Sequence, residues 1–501
     1  MYKASSTIDA QAVSYVVSSS VVGKFVACRK SVARRVSTIV ARIVRDNSVT
    51  VKSTAATMDN RQQLLIFLQL CSQFLNLVSL YGRLLSESNN RRWWVRPVNS
   101  EERRRSKGFH LTYFRELMET DHEEFFNWTR MWPHQFRNLY ELVRPRLLKR
   151  SHRLSLHPEL RLVLTLSYLA HGDSMFSKKA EFRIGRSTAY QIVPEVCRII
   201  WDVLQPRYLA QPTQEVWRCI ADEFMQKWQF PNCIGALDGK HIRIQCPPNS
   251  GSQYSNYKKY FSLVLMAVCD ASYKFTMVDI GQFGSISDGG VWAHSDMSHL
   301  LDNNLLDVPP KKELPSTLIA TEYALVGDEA FPLKKYLLRP YPRLQLTNKE
   351  RVFNYRLSRA RRVIENAFGI LVSRWRILTR PLCCSPENAE HLVKALICLH
   401  NFVIIGEREI APARRRYCPP QLIDRETGEG MVLGGAWRGH GEQGDLVQNI
   451  GRLSSNNSNV AARAQRNVLR DYFVTETGEA QVPWQYQRAF GGYNINPPDC
   501  H

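Results

Sequence analysis

Four acidic residues stand where a surface carboxylate does not belong: Asp238 in IGALDGKHIRI, Asp288 in GSISDGGVW, Asp328 in ALVGDEAFP and Glu365 in RRVIENAFG. Each interrupts or ends an apolar run that otherwise reads as buried strand or helix. Burying an isolated carboxylate costs several kcal/mol, roughly, unless a cation or hydrogen bonds compensate it. Phosphodiester chemistry gives a reason to carry such groups: oxygen-lined pockets hold Mg2+ or Mn2+, and a pair of these ions activates water and stabilises the leaving oxygen. The four acids are therefore read together as a split metal site. Singly, each has a plainer reading: Asp238 as a turn cap, Asp288 as an Asp-Gly turn, Asp328 as an N-cap, and Glu365 as a partner of Arg361 or Arg362.

The elements that must position these acids follow from periodicity. From Ile234 the texture is β, with GALDGKHIRI, YFSLVLMAVCD and YKFTMVDIGQFG forming a three-stranded antiparallel meander whose last turn lies near Asp270 to Tyr273. A helical stretch around Val291 to Leu305 comes next, then the short apolar strand ALVGD ending on Asp328. Beyond Asn348 the spacing is helical, placing Glu365 mid-helix among Val363, Ile364, Ala367 and Phe368. Gly239, directly after Asp238, allows a ligand or another backbone to approach the strand. Asp270 is read as a hairpin residue and Asp279 is left open. His241 and His400 are read as packed histidines.

Upstream, residues 158 to 205 read as three helices in quick succession, the last opened by RIGRSTAYQIV with Gly185 in the turn. This is a helix-turn-helix-like arrangement, in which Arg183, Arg186, Tyr190 and Gln191 face DNA while Lys178 and Lys179 touch phosphate. Pro194 is awkward there, because proline inside a helix costs about 3 kcal/mol or ends it. Around Glu365, Arg359, Arg361, Arg362, Arg374 and Arg376 are expected to meet DNA phosphates.

The formal charge of +21, from 67 basic against 46 acidic residues, favours a polyanionic partner, and nucleic acid is the default. The 12 cysteines contain no CxxC pair, which suits reduced thiols and offers no zinc ribbon or disulfide framework. Leu64 to Leu85 is apolar but interrupted by Gln69, Ser72, Gln73, Asn76 and Ser79, so it reads as an amphipathic helix and not a membrane span. Residues 1 to 60 carry Arg34, Arg35, Arg42 and Arg45 without Glu; a basic arm is preferred over a transit peptide. Arg91, Arg92 and Arg103 to Arg105 with Lys107 fit a nuclear import signal or a phosphate-contacting patch.

Taken together, LSYLAHGDSMFS with FRIGRSTAYQIV, LDGKHI, GSISDGGVW, GDEAFP, RVIENAFGILVSRWRIL and ALICLHNF resemble the Harbinger-type DDE transposases and the nucleases derived from them, over about Phe109 to Phe402. The resemblance implies an RNase H-like mixed sheet flanked by helices, preceded by an all-α helix-turn-helix-like region. It implies that Asp238, Asp328 and Glu365 are the catalytic acids, that Asp288 is a further metal ligand, and that the cofactor is a divalent cation, Mg2+ or Mn2+. It also implies action on DNA in the nucleus and a Myb-like helper protein, with self-association into a homo-oligomer left open and no membrane involved. The expected divisions are 1–108, a basic arm with one amphipathic helix; 109–228, the helical DNA-binding region; 229–410, the nuclease; and 411–501, a flexible tail with a short docking helix. The function expected is metal-dependent DNA cleavage, with or without strand transfer; the alternative is a catalytically idle DNA-binding scaffold.

Overall fold

A computed structural model of the chain describes residues 60–89, 93, 95–149, 155–439 and 459–491. The basic arm up to residue 59 and the tail segments 440–458 and 492–501 lie outside the described residues. The chain divides into two units, residues 1–94 and 95–501. Within the first, the amphipathic stretch forms one helix, α1 (Asn60–Asn89).

The second unit is mixed α/β. Its helical part contains α2 (Pro158–His171), α3 (Met175–Glu181), α4 (Arg186–Tyr208) and α5 (Gln214–Trp228). α4 runs unbroken through Pro194, contrary to the expectation of a break. A proline at this position leaves the carbonyl of Tyr190 without its helical donor, and Tyr190 lies on the exposed side of the helix. The buried stripe of Ile192, Val193, Val196, Cys197, Ile200 and Leu204 offsets what remains of the cost.

The meander appears as β1 (Cys233–Arg243), β2 (Ser262–Cys269) and β3 (Phe275–Phe283), each antiparallel to the one before. β2 is buried at every position, as its unbroken SLVLMAVC run requires of an interior strand. Asp270 closes the β2–β3 turn, its Oδ1 accepting the backbone N–H groups of Ser272 and Lys274 at 2.9 Å each. The helical stretch after β3 is two short helices, α6 (Asp288–His294) and α7 (Asp296–Asp302). The chain then returns to the sheet as β4 (Ala324–Val326), parallel to β1, and β5 (Leu337–Leu338), parallel to β4. The five strands lie in the order β3, β2, β1, β4, β5.

Two long helices complete this part. α8 (Asn348–Arg374) starts at a capping box made by Thr347 and Glu350 and packs against β1 and β2. α9 (Pro386–Gly406) packs against β3 and α4. By length and composition α9 alone among the described helices could cross a bilayer, yet 72% of its apolar window is buried, as in a core helix. Near the end of the chain, α10 (Val460–Tyr472) leads into Phe473, and both Tyr472 and Phe473 are buried.

Candidate active site

The sheet register brings the first two acids together. Ala236 of β1 lies opposite Val326 of the parallel β4. Residues two apart on a strand share a face, so Asp238 on β1 stands beside Asp328, two residues past the last pair. β1 is buried up to Leu237 and half-buried from Asp238 onward, which puts this acid where the strand emerges from the core. The Oδ1 of Asp238 accepts the Gly239 N–H, and the Oδ1 of Asp328 accepts the Ala330 N–H, each at 2.9 Å.

α8 supplies the third acid and the cation that answers all three. The guanidinium of Arg361 donates to Asp238 Oδ2 at 3.4 Å and to Oε1 of Glu365, one helical turn further on. The three side chains are only 19%, 18% and 11% exposed for Arg361, Asp238 and Glu365 in turn, so this is no solvated surface pair. Burial alone would lower the Arg361 pKa, but the carboxylates of Glu365, Asp238 and Asp328 outweigh it and hold the guanidinium above its usual range. Two of the acids feel the converse. Burial, set against Arg361 and reinforced by Asp328 and Glu365, pushes Asp238 up to about 7, and burial raises Asp328 as well. Arg361 thus under-compensates the acidic pocket.

Asp288 is the first residue of α6, capped by the Ser287 hydroxyl on the Gly290 N–H at 3.3 Å. A Cβ built on Gly239 would come within 2.4 Å of Asp288 Oδ1, so the missing side chain at 239 is what admits this carboxylate to β1. Asp288 therefore approaches β1 at Gly239, within electrostatic reach of Asp238 and Asp328. Burial, with the charges of Asp238 and Asp328, pushes it up to about 8. All four acids expected from the sequence are in one neighbourhood. Their donors are all carboxylate oxygens, the set suited to Mg2+ or Mn2+, and buried charge left unbalanced by Arg361 is what a bound divalent cation would answer.

The basic residues divide differently from expectation. Lys178 is fully buried, its Nζ held by Ser167 Oγ at 2.7 Å, Glu181 at 3.0 Å and Asp173 at 3.1 Å, which leaves it no route to a phosphate. Arg359 is 2% exposed and paired with both oxygens of Glu426, and Arg374 donates to the carbonyls of Tyr417 and Arg416, so both brace protein and not DNA. Arg362 is half-buried with Nη1 enclosed by protein. Arg183 donates to the carbonyls of Lys107 and Val98. Arg186 is exposed and stacked on Tyr190, Lys179 lies over the Phe176 ring, and Arg376 is exposed; these three keep cationic groups toward solvent.

Two features escaped sequence reading. The stretch from Arg414, expected as flexible linker, folds back along α8 as far as Gly439. Its guanidinium at Arg438 lies 3.7 Å from Glu365 Oε2. The second is a separate group, His110, His157 and Glu159, whose ligand atoms lie within 4.8 Å of one another. Glu159 there already accepts from His110 at 2.9 Å and from Arg115. Burial would raise its pKa, but the His110 hydrogen bond and the Arg115 charge hold it below the usual range, the signature of a satisfied ion pair.

His400, buried in α9, is part of a hydrogen-bond chain. Trp375 Nε1 donates to the Tyr417 hydroxyl at 2.9 Å, that hydroxyl meets His400 Nδ1 at 3.1 Å, and Nε2 lies 2.9 Å from the Tyr273 carbonyl. A carbonyl only accepts, so Nε2 carries the proton of a neutral ring and Nδ1 accepts from Tyr417. The residue is structural, as its apolar setting suggested.

Comparison with known proteins converges on the same region. Residues 237–401, which contain all four acids, match the DDE superfamily endonuclease family. The chain is 30% identical over 253 residues to the Arabidopsis thaliana protein Antagonist of Like Heterochromatin Protein 1, covering 49% of this chain and 62% of that one. It is 29% identical to Protein ALP1-like of the same organism, over 49% of this chain and 60% of the relative. The HARBI1 protein of Rattus norvegicus, whose name describes an inferred nuclease, is 27% identical over 54% of this chain and 74% of its own length. The chain spans about three fifths of the length of the two plant relatives. No solved structure matches it. The matched segment, the acids it carries and these relatives thus make residues 237–401 similar to the DDE superfamily endonucleases, and about half of the chain similar to the ALP1 and HARBI1 proteins.

Proposed function

We propose that the chain is a divalent-metal-dependent DNA endonuclease of an RNase H-like type. The observation that carries the reading is the convergence of Asp238, Asp328 and Glu365, from three separate segments, around the Arg361 guanidinium, which contacts Asp238 and Glu365 and lies within electrostatic reach of Asp328. Leaving that many carboxylates together out of water costs several kcal/mol, roughly, and an acidic pocket beside a basic surface is how a chain of charge +21 would hold both metal and phosphate.

In this reading Asp238, Asp328 and Glu365 hold the cation, with Asp288 as an accessory ligand from the Gly239 side. When bound, Mg2+ or Mn2+ activates the attacking water or 3′-hydroxyl and stabilises the leaving oxygen. The chain's own residues do the rest. The backbone N–H groups of Gly239 and Ala330 fix the inner carboxylates, and Arg361 partly balances their charge in the free protein. Exposed Arg186 and Arg376 and half-buried Lys179 are the candidates for phosphate contact, Arg186 and Lys179 through the helix-turn-helix-like pair α3 and α4. Action in the nucleus, with a helper protein for target recognition, belongs to the same reading.

A relative named for antagonism of a heterochromatin-like protein, and not for cutting, supports a second reading, in which the chain is a DNA-binding scaffold. End-labelled duplex DNA incubated with the full chain in Mn2+, Mg2+ or chelator separates the two, run beside Asp238→Ala and Glu365→Gln. The nuclease reading expects metal-dependent nicking that both variants abolish while DNA affinity persists. Nicking by Glu365→Gln at the wild-type rate, or binding without cleavage in any metal, would overturn it.

A further inference from the structure

The segment after α9 is bound to α8 by a stripe of residues that the nuclease chemistry does not require. Tyr355, Arg359, Asn366 and Gly369 recur at three- to seven-residue spacing along one side of α8. The hydroxyl of Tyr355 and the guanidinium of Arg359 hold Glu426. Asn366 Oδ1 accepts both the Asp424 backbone N–H at 3.0 Å and Trp437 Nε1 at 2.8 Å. Gly369 has no space for a Cβ, which would lie 2.4 Å from the Trp437 ring; its absence is the notch in which that ring lies.

The outcome of this docking is the position of Arg438. Asp424, whose side chain is fully buried, grips the guanidinium at both oxygens, and the Trp437 ring lies 4.3 Å from it. Held in this way, Nη2 faces Glu365 Oε2 at 3.7 Å while Arg361 holds Oε1. The two oxygens of one active-site carboxylate are thus claimed by two different arginines. Arg361 belongs to the cluster with Asp238 and Asp328; Arg438 stands outside it and is anchored independently.

We propose that Arg438 is a positioning residue of the nuclease centre. By facing Oε2 while Arg361 holds Oε1, it fixes the rotamer of Glu365 and so the direction in which the carboxylate presents itself to the other acids. The strap of residues 417–439, beyond the matched nuclease segment, is then part of the active site. This rests on the nuclease reading above. The expected loss is in turnover and not in metal affinity, since displacing a reacting group by about 1 Å costs on the order of a hundredfold in rate, while removing a cation next to a ligand does not weaken cation binding.

The test uses the full chain and four proteins: wild type, Arg438→Gln, Glu426→Gln and Glu365→Gln. Two quantities are read, the single-turnover cleavage rate at saturating Mn2+ and the Mn2+ concentration giving half of the thermal stabilisation. Arg438→Gln is expected to cut about a hundredfold more slowly with Mn2+ half-saturation at or below that of wild type. Glu426→Gln, which loosens the other anchor of the strap, is expected to lower the melting temperature and keep the rate of the folded protein. A wild-type rate in Arg438→Gln overturns the proposal, as does a rate that falls in step with Mn2+ affinity, the pattern of a strap that has come away. Absence of cleavage by the wild type overturns the nuclease reading itself, and this proposal with it.

Discussion

Replacing Arg361 by Met gives the most direct test of the charge balance at the acids. Methionine keeps the length and apolar stem and removes only the cation. Arg361 donates to Asp238 and Glu365 from a position 19% exposed, with Asp328 in electrostatic reach. Breaking such a buried pairing from one side leaves carboxylate charge uncompensated, at a cost of about 3–5 kcal/mol. A core on the order of 400 residues unfolds with an entropy of roughly 0.8 kcal/mol per K, so a loss of about 4 kcal/mol lowers the melting temperature by about 5 °C. Thermal melts in chelator at pH 8 should show that fall. A cation that binds only the folded state at a hundred times its dissociation constant adds about 2.7 kcal/mol, and with no guanidinium to compete, the gain in Arg361→Met should exceed the gain in wild type. The gap between the two proteins should therefore narrow in excess Mn2+. Equal melting temperatures in chelator, or a gap that Mn2+ leaves unchanged, would refute the account of Arg361 as the resident counter-ion of a metal pocket.

Three further outcomes follow from individual contacts. Gly239→Ala should drive Asp288 away from β1, since the added methyl would sit 2.4 Å from its Oδ1; Mn2+ stabilisation measured by thermal shift should weaken while DNA affinity holds. Burial lowers the His400 pKa from its usual value to about 4. Between about 6.5 and 4 the unfolded chain takes up a proton that the fold refuses, so stability falls as pH falls through that window, by about 3 kcal/mol. Urea unfolding across it should show that slope, and His400→Gln, though less stable throughout, should show a shallower one. Lys178→Met should lower the melting temperature by removing the partner of Asp173 and Glu181; a weakened salt dependence of DNA binding would contradict its placement in the core.

The acids were legible because each disturbs an apolar pattern, and apolar pattern is what decides burial. The meander was legible for the same reason: YFSLVLMAVCD has too few polar residues for anything except an interior strand. Charge was less informative, because Lys and Arg carry long apolar stems and can be buried when carboxylates meet their heads. Lys178 and Arg359 show this: their spacing matches that of solvent-facing residues, and only Asp173, Glu181 and Glu426, distant or unremarkable in sequence, reveal the pairing. The strap was invisible in composition, being rich in Gly and without a helical or strand-like apolar period. The signal lay on its receptor, where Tyr355, Arg359 and Asn366 line one face of a helix whose other faces were already committed. Pro194 misled because the cost of a proline depends on its surroundings, and there it lies on a helix whose buried stripe of Ile192, Val193, Val196, Cys197, Ile200 and Leu204 holds the helix together.

The parallel pairing of β1 with β4 joins strands about ninety residues apart in sequence, and it alone sets Asp238 beside Asp328. Glu365 comes later still, and Arg438 later again. During synthesis the chain emerges from its N-terminus, so the basic helices are available well before any cutting centre can exist. A product that ends before Glu365 carries the basic helices and no complete set of acids. On the nuclease reading proposed above, the order of the elements would therefore keep such partial copies from assembling a cutting centre.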